Sequence, residues 1–305
     1  MDMQIVINQM AVLFLLLAVG FIVGKVKLLT PDGNKVLSKV VLFVALPCTI
    51  LNSVFDNEIE ISAGETVYFL FLSVLSFLLA FLVAIPIIRL SGGDKANHGL
   101  LSYMSVFSNC GFIGLPVVIA IFGTAAAFHV ALFNIPFNLL SFTVGIMLIS
   151  GKGVKFAPKQ LLTPTLIVAV LAIPIALTGL RVPYIFSEAI RLTGSVTVPG
   201  AMIVIGSTLS YIPLKSVFSE WRIVLATLLR LIIIPVVTWL VLRLFIADDF
   251  ILGVLVILTA MPIAAQSSML AIEYKGNERI ASSGVFLSTL LCGITVPLIV
   301  YLLLM

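Results

Sequence analysis

Charged residues are scarce in this sequence. Asp, Glu, Lys and Arg make up 10% of its 305 residues, whereas 61% are hydrophobic. Soluble domains contain about 25% charged residues. A soluble globule of this length could not cover its surface with so few charged and polar side chains. The composition therefore excludes a soluble protein and predicts an all-α integral membrane protein.

Residues for covalent or metal chemistry are also few. The three cysteines, Cys48, Cys110 and Cys292, lie inside apolar runs without a CxxC pair, and there are two histidines without metal-like spacing. We interpret the cysteines as packing residues, and we expect no metal and no cofactor other than a coupling Na+ or H+. No Ser–Lys, Asp–Asp or HExxH arrangement lies within an apolar run, and the longest loops, 56–64 and 151–163, are too short to fold alone. An enzyme is therefore not expected.

Long apolar runs dominate the chain. A helix that crosses a bilayer needs about 20 predominantly apolar residues. Ten such runs are predicted, at about 5–24, 36–55, 66–89, 99–121, 127–149, 163–180, 186–210, 222–246, 250–272 and 281–304. The first run is not expected to be a cleaved signal peptide, because its lysines, Lys25 and Lys27, follow it.

The basic residues are distributed unevenly between the two sides of these spans. Thirteen of the seventeen lie in odd-numbered loops: Lys25, Lys27, Lys35, Lys39, Arg89, Lys95, Lys152, Lys155, Lys159, Lys215, Arg222, Lys275 and Arg279. Even-numbered loops carry Arg181, Arg191 and Arg243, and the first of these loops contains Asp56, Glu58, Glu60 and Glu65. The asymmetry predicts a multi-pass protein of the plasma membrane (the inner membrane in a bacterium), with both termini outside.

The ten spans divide into two sets of five, at 1–151 and 152–305. An odd number of spans in each half inverts the second half, a plan typical of secondary transporters. ALPCTILNS (45–53) and TVPGAMIVIGS (197–207) centre on Pro47 and Pro199 in the second and seventh spans. The fourth and ninth spans are both disrupted midway. Chance coincidence within any ten-helix protein is the alternative interpretation.

Two spans contain stretches that disfavour a continuous helix. These are NCGFIGLP (109–116) in the fourth span and MPIAAQSS (261–268) in the ninth. Proline removes a backbone donor, and unpaired backbone groups are costly in lipid unless protein or a water-filled cavity satisfies them. Interrupted helices at corresponding positions of two halves indicate a binding site in transporters. A simple kink is the alternative, and it is the interpretation preferred for the other membrane prolines.

At these residues the sequence resembles the auxin efflux carrier family. The resemblance covers essentially the whole chain and rests on VGFIVGKVKLLTPDGNKVLSKVVLFVALPCTIL (19–51), NCGFIGLP (109–116) and MPIAAQSSMLAIEYKGN (261–277). It implies a ten-helix fold of two inverted repeats, similar to bile-acid symporters and sodium/proton antiporters, with the fourth and ninth helices crossing at their interruptions. Helices at 5–24, 36–55, 163–180 and 186–210 would form a scaffold, and those within 66–149 and 222–304 a transport unit that moves as an elevator. Members are linked to auxin, malate and malonate, so an organic anion is the implied cargo.

Candidate substrate-binding residues follow from the interruptions and from polar residues near them. From the two interruptions we select Asn109, Gly111, Gly114, Pro116, Pro262, Gln266, Ser267 and Ser268. Asn134 and Asn138, four residues apart on the fifth span, either line the same cavity or join helices by hydrogen bonds. Asn52 on the second span is a further candidate. Arg230 is the one ionisable residue placed near the middle of a span, where it attracts an anion, binds backbone carbonyls, or extends to the membrane surface.

The resulting hypothesis is a secondary carrier of small organic anions. A sodium- or proton-coupled symporter is an alternative, because carbonyls, amides and hydroxyls can coordinate sodium without a carboxylate. A membrane receptor that binds its ligand without moving it is an alternative of another class. The absence of Asp and Glu at mid-membrane depth argues against cation–proton antiport. The expected partners are the anion and the lipid bilayer, without nucleic acid, and the protein is a monomer or a homodimer through its scaffold helices.

Overall fold

Helices account for all of the regular structure in the described residues. The computed structural model describes residues 3–55, 62–150, 163–180, 182–212 and 220–305. The helices are α1 (Met3–Lys25), α2 (Pro31–Phe55), α3 (Ala63–Leu90), α4 (Lys95–Val106), α5 (Cys110–Phe122), α6 (Thr124–Ser150), α7 (Pro164–Thr178), α8 (Tyr184–Ser210), α9 (Trp221–Leu242), α10 (Asp249–Ala260), α11 (Gln266–Glu273) and α12 (Glu278–Leu303). Residues named above that lie outside the described ranges are Asp56, Glu58, Glu60, Lys152, Lys155, Lys159, Arg181 and Lys215.

Seven of these helices are long and apolar enough to cross a membrane: α1, α2, α3, α6, α8, α9 and α12. They coincide with seven of the predicted spans and confirm an all-helical, multi-pass membrane protein. The predicted sixth span is the shorter apolar helix α7, of 15 residues. The predicted fourth span is divided into α4 and α5, and the predicted ninth into α10 and α11.

Side-chain caps fix the starts of several helices. Ser62 and Glu65 form a reciprocal capping box at the start of α3. At α10 the Asp248 carboxylate accepts hydrogen bonds from two backbone N–H groups, and at α12 the Asn277 side chain accepts one from Ile280. These caps satisfy N–H groups that the first helical turn leaves without partners.

Proline explains most of the π-helical turns. Three of the four π-turns in the described residues end two residues before a proline. They are Val41–Ala45 before Pro47, Cys110–Gly114 before Pro116 and Leu229–Ile233 before Pro235. A proline cannot donate to the carbonyl four residues earlier. In the wider turn the N–H just before the proline bonds to the carbonyl five residues earlier, as from Leu46 to Val41 and from Ile234 to Leu229, and the helix continues past the proline.

Small residues bring the helices of the two chain halves close together. α1 packs along the second half of α8, where a Cβ on Gly20 would be 2.4 Å from Ile203 O. The second half of α2 packs against α7 and the first half of α8. There Thr49 Oγ1 lies 2.9 Å from Gly194 O, to which it can donate a hydrogen bond. It also lies 2.7 Å from Thr197 Oγ1, and either of these two hydroxyls can be the donor. Close backbone approach and buried hydroxyl bonds are the usual means of helix association in lipid.

Candidate functional site

The first interruption comprises residues 107–109, between α4 and α5. Phe107 and Asn109 leave helical geometry, and the Asn109 Oδ1 accepts a hydrogen bond from Phe112 N at 3.3 Å, so Asn109 caps α5. The Asn109 carbonyl also accepts from Gly114 N at 2.9 Å, which closes the π-turn. A buried Asn therefore starts the second half of this span.

The second interruption comprises residues 261–265, between α10 and α11, and it lies directly against the first. Asn109 N donates to Pro262 O at 2.7 Å, and Ala264 N donates to Phe107 O at 3.0 Å. These two bonds form an isolated antiparallel bridge between Ser108 and Ile263. Each interruption thus supplies backbone partners that the other lost with its helix, which removes the cost of unpaired groups in lipid.

The interruptions are shorter than the sequence predicted. The helix resumes at Cys110, not after Pro116, because the π-turn accommodates the proline near the start of the following α-helix. In the ninth span the helix resumes at Gln266, so Ser267 and Ser268 lie in the first turn of α11. Pro262 is the one selected proline that lies within an interruption.

Arg230 joins the carboxyl ends of both preceding helices. Its side chain is buried, with 1% of the residue exposed, which excludes extension to the membrane surface. Nη1 donates to Val106 O at 2.5 Å and to Ser105 O at 3.3 Å, at the end of α4. Nη2 donates to Thr259 O at the end of α10. The positive guanidinium therefore lies where two helix dipoles are negative.

Asn109 and Asn134 both present polar groups near the start of α5. The Asn109 Nδ2 has no hydrogen-bond partner in the described part of the chain, and the residue is 6% exposed. Asn134 Oδ1 accepts from Cys110 Sγ at 3.3 Å, and its Nδ2 donates to Val130 O. Asn138 Nδ2 donates to Asn134 O at 2.7 Å. Both Asn134 and Asn138 are half-buried, and Asn134 lies next to the first interruption.

A second polar group lies at the start of α11. Gln266 Nε2 donates to Ser141 Oγ at 3.4 Å, and that hydroxyl also lies 2.8 Å from the Tyr103 hydroxyl. Ser267 is fully buried, and its Oγ has no hydrogen-bond partner among the residues described. Ser268 is half-buried. A buried hydroxyl without a hydrogen-bond partner is energetically costly. A ligand that bonded to Ser267 Oγ would satisfy this hydroxyl without having to desolvate it first.

The two selected glycines have different surroundings. A Cβ on Gly114 would be 3.0 Å from Leu258 Cδ2, so Gly114 permits close contact between α5 and α10. A Cβ on Gly111 would meet no atom closer than the Asn134 Oδ1, at 4.0 Å. Gly114 therefore serves packing, while Gly111 leaves space beside Asn134. Asn52 is half-buried in α2, on a helix that does not contain either interruption.

Sequence reasoning missed several residues of this region. Ser108 adjoins Asn109 in the same motif and its Oγ is buried without a partner among the described residues, so its position alone was a usable signal. Ser288 on α12 accepts a hydrogen bond from Ile263 N at 3.0 Å. Tyr103 and Ser141 connect α4 with α6. No local pattern distinguishes these three from other hydroxyls in apolar helices.

Comparisons with known proteins cover nearly the whole chain. A family model described as "Membrane transport protein" matches residues 5–159 and 152–300. An uncharacterized transporter of Methanocaldococcus jannaschii is 27% identical over 300 residues, covering 94% of this chain and 95% of that protein. An uncharacterized transporter of Methanothermobacter thermautotrophicus is 26% identical over 286 residues, covering 93% of each chain.

Proposed function

Since the chain belongs to the membrane transport protein family, the auxin efflux carrier family that its motifs indicate, we propose that it is a secondary carrier of small organic anions. Transport, not catalysis, is the activity that the family and both transporter-named relatives support. We place the substrate where the two interruptions meet.

The backbone pairing of the two interruptions is the observation that carries this proposal. It brings the amino ends of α5 and α11 to one place in the membrane. Helix amino ends carry partial positive charge and free N–H groups, which suit a carboxylate. The unpaired Asn109 Nδ2 and Ser267 hydroxyl are two more donors. Gln266 and Asn134 complete a set of neutral polar groups that would orient the acid.

Arg230 argues for transport without sodium. Its guanidinium donates hydrogen bonds to carbonyl oxygens at the carboxyl ends of α4 and α10. In transporters with interrupted helices, such carbonyl ends coordinate the coupling cation. We therefore assign Arg230 as a positioning residue that holds both interruptions and takes the place of a mobile cation.

Helix packing supports an inverted repeat with halves 1–151 and 152–305. In such a repeat, the first helix of each half should have equivalent neighbours in the other half. α1 packs on α8, and α7 packs on α2, as that relation requires. The middle of α2 meets the middle of α8 through Thr49 and Gly194, just as the two interruptions meet each other. We propose ten spans in which α1, α2, α7 and α8 form the scaffold.

Elevator-like movement of α3–α6 and α9–α12 against that scaffold would carry the site across the membrane, with both termini outside. The interruption pair would move as one body, because its two halves are joined by backbone hydrogen bonds and by Arg230.

The test is an electrical measurement on protein in liposomes on a solid-supported membrane. Pulses of malate, malonate, oxalate, lactate and indole-3-acetate are applied with and without sodium. Asn109→Ala removes both the helix cap and the proposed donor. Asn277→Ala is the matched control, because it removes an equivalent cap at the exposed start of α12. We expect at least one acid to produce a current that Asn109→Ala abolishes and Asn277→Ala retains.

Three outcomes would contradict parts of this proposal. Equal loss in both Asn variants would assign the effect to capping and not to the substrate. A current that requires sodium would contradict the role given to Arg230 and favour the symporter. Silence for every acid, with no exchange of labelled acid in an isotope assay but with measurable binding, would favour a receptor.

A further inference from the structure

A basic cavity lies apart from the interruptions, at one end of the helix bundle. Its volume is about 470 Å³, and it is lined by the last turns of α3 and α6 and the first turns of α4. Its lining has a cationic part, formed by Arg89, Lys95 and His98, and an apolar part, formed by Ile85, Met147 and Leu148.

The cationic part has little internal compensation. Arg89 and Lys95 make no hydrogen bond or ion pair within the described ranges. His98 Nε2 lies 2.8 Å from Gly92 O, which orients the ring. No carboxylate is among the residues that line the cavity. Asp94, the nearest acid in sequence, accepts a hydrogen bond from Ala96 N at 3.0 Å as the cap of α4.

The helices that form the apolar part also carry exposed aliphatic side chains. Met147 is 54% exposed, and Leu82 and Leu90 on α3 are 71% and 86% exposed. Exposed aliphatic side chains of this kind are expected against acyl chains. A soluble anion would use the basic groups but would gain nothing from the apolar wall. A lipid would use both.

We propose that this cavity binds the phosphate group of an anionic membrane lipid, with Arg89 and Lys95 contacting the phosphate and an acyl chain lying along Ile85 and Met147. Arg89 and Lys95 belong to the loop between α3 and α4, which the charge asymmetry places on the cytoplasmic side. That leaflet carries the anionic lipids, and basic pockets between membrane helices bind their headgroups. The site contributes no residue to the interruption pair, so it does not depend on the identity of the transported substrate.

The test compares lipid binding by the full-length protein in neutral detergent, using native mass spectrometry and thermal unfolding. Phosphatidylglycerol and phosphatidylcholine with the same acyl chains are the probes, together with glycerol phosphate and inorganic phosphate. The double variant Arg89→Gln/Lys95→Gln removes the two free charges. Lys39→Gln/Arg279→Gln removes the same charge from exposed positions on the same predicted side and is the control.

We expect phosphatidylglycerol to bind at least tenfold more tightly than phosphatidylcholine, and to lose about that factor in the Arg89/Lys95 variant but not in the control. Retention of the preference in the Arg89/Lys95 variant, or equal loss in both variants, would overturn the site. Equal stabilisation by glycerol phosphate at the same concentration would overturn the lipid as its occupant and assign a soluble phosphate compound instead.

Discussion

Replacing Arg230 should destabilise the protein more than replacing any surface arginine. Arg230→Met keeps much of the side-chain volume but leaves three carbonyl oxygens, on Ser105, Val106 and Thr259, without their donor. Hydrogen bonds to charged groups contribute about 1.5–3 kcal/mol each. Removing the guanidinium also removes the cost of burying it, so the net loss is smaller than the sum. Three buried carbonyls left without a donor would cost about 1–3 kcal/mol each; after the relief of burying the guanidinium is subtracted, we expect a net loss of about 3–5 kcal/mol.

Thermal unfolding of the purified protein measures this loss, with an expected fall in Tm of roughly 6–20 °C. Hydrogen exchange at the amides of Asn109 and Ala264 would locate the effect at the interruptions. Arg243→Gln is the matched control, because Arg243 forms a half-exposed ion pair with Asp249 at 2.5 Å. Such pairs contribute about 0–1 kcal/mol. A Tm for Arg230→Met within 1–2 °C of the control, about 1 kcal/mol or less, would refute the role given to Arg230.

Three further substitutions test the packing around the site. Gly114→Ala places a Cβ about 3.0 Å from Leu258 Cδ2 and should cost about 1–3 kcal/mol in thermal unfolding, whereas Gly111→Ala should be neutral or stabilising; equal effects would contradict the tight contact of α5 with α10. Tyr103→Phe removes the buried bond to Ser141 and should cost about 1 kcal/mol, so an unchanged Tm would contradict that bond.

The long helices could be predicted from the sequence because their signal is local. A run of about 20 apolar residues has few alternatives to a membrane helix, and α1, α3, α8 and α12 follow such runs closely. The unusual composition of 109–116 and 261–268 also marked the two places where helices are interrupted. In both cases the evidence lies within one short stretch of chain.

The contacts between the interruptions could not be predicted in the same way. The bond from Asn109 N to Pro262 O joins residues of different halves, and no short pattern encodes such a pairing. Arg230 allowed three interpretations until the positions of Val106 and Thr259 showed that its donors are used by carbonyls. Pro116 belongs to the stretch 109–116 that was predicted to disfavour a continuous helix, but the π-turn before it retains the helix.

Ser267→Ala tests most directly whether the paired interruptions bind the substrate. The Ser267 hydroxyl is buried and has no partner among the described residues, so its removal should leave Tm unchanged or slightly raised. If a transported acid bonds to this hydroxyl, the apparent affinity for that acid should fall about fivefold to tenfold, the equivalent of one hydrogen bond. Unchanged affinity and unchanged current in the Ser267→Ala protein would place the substrate elsewhere.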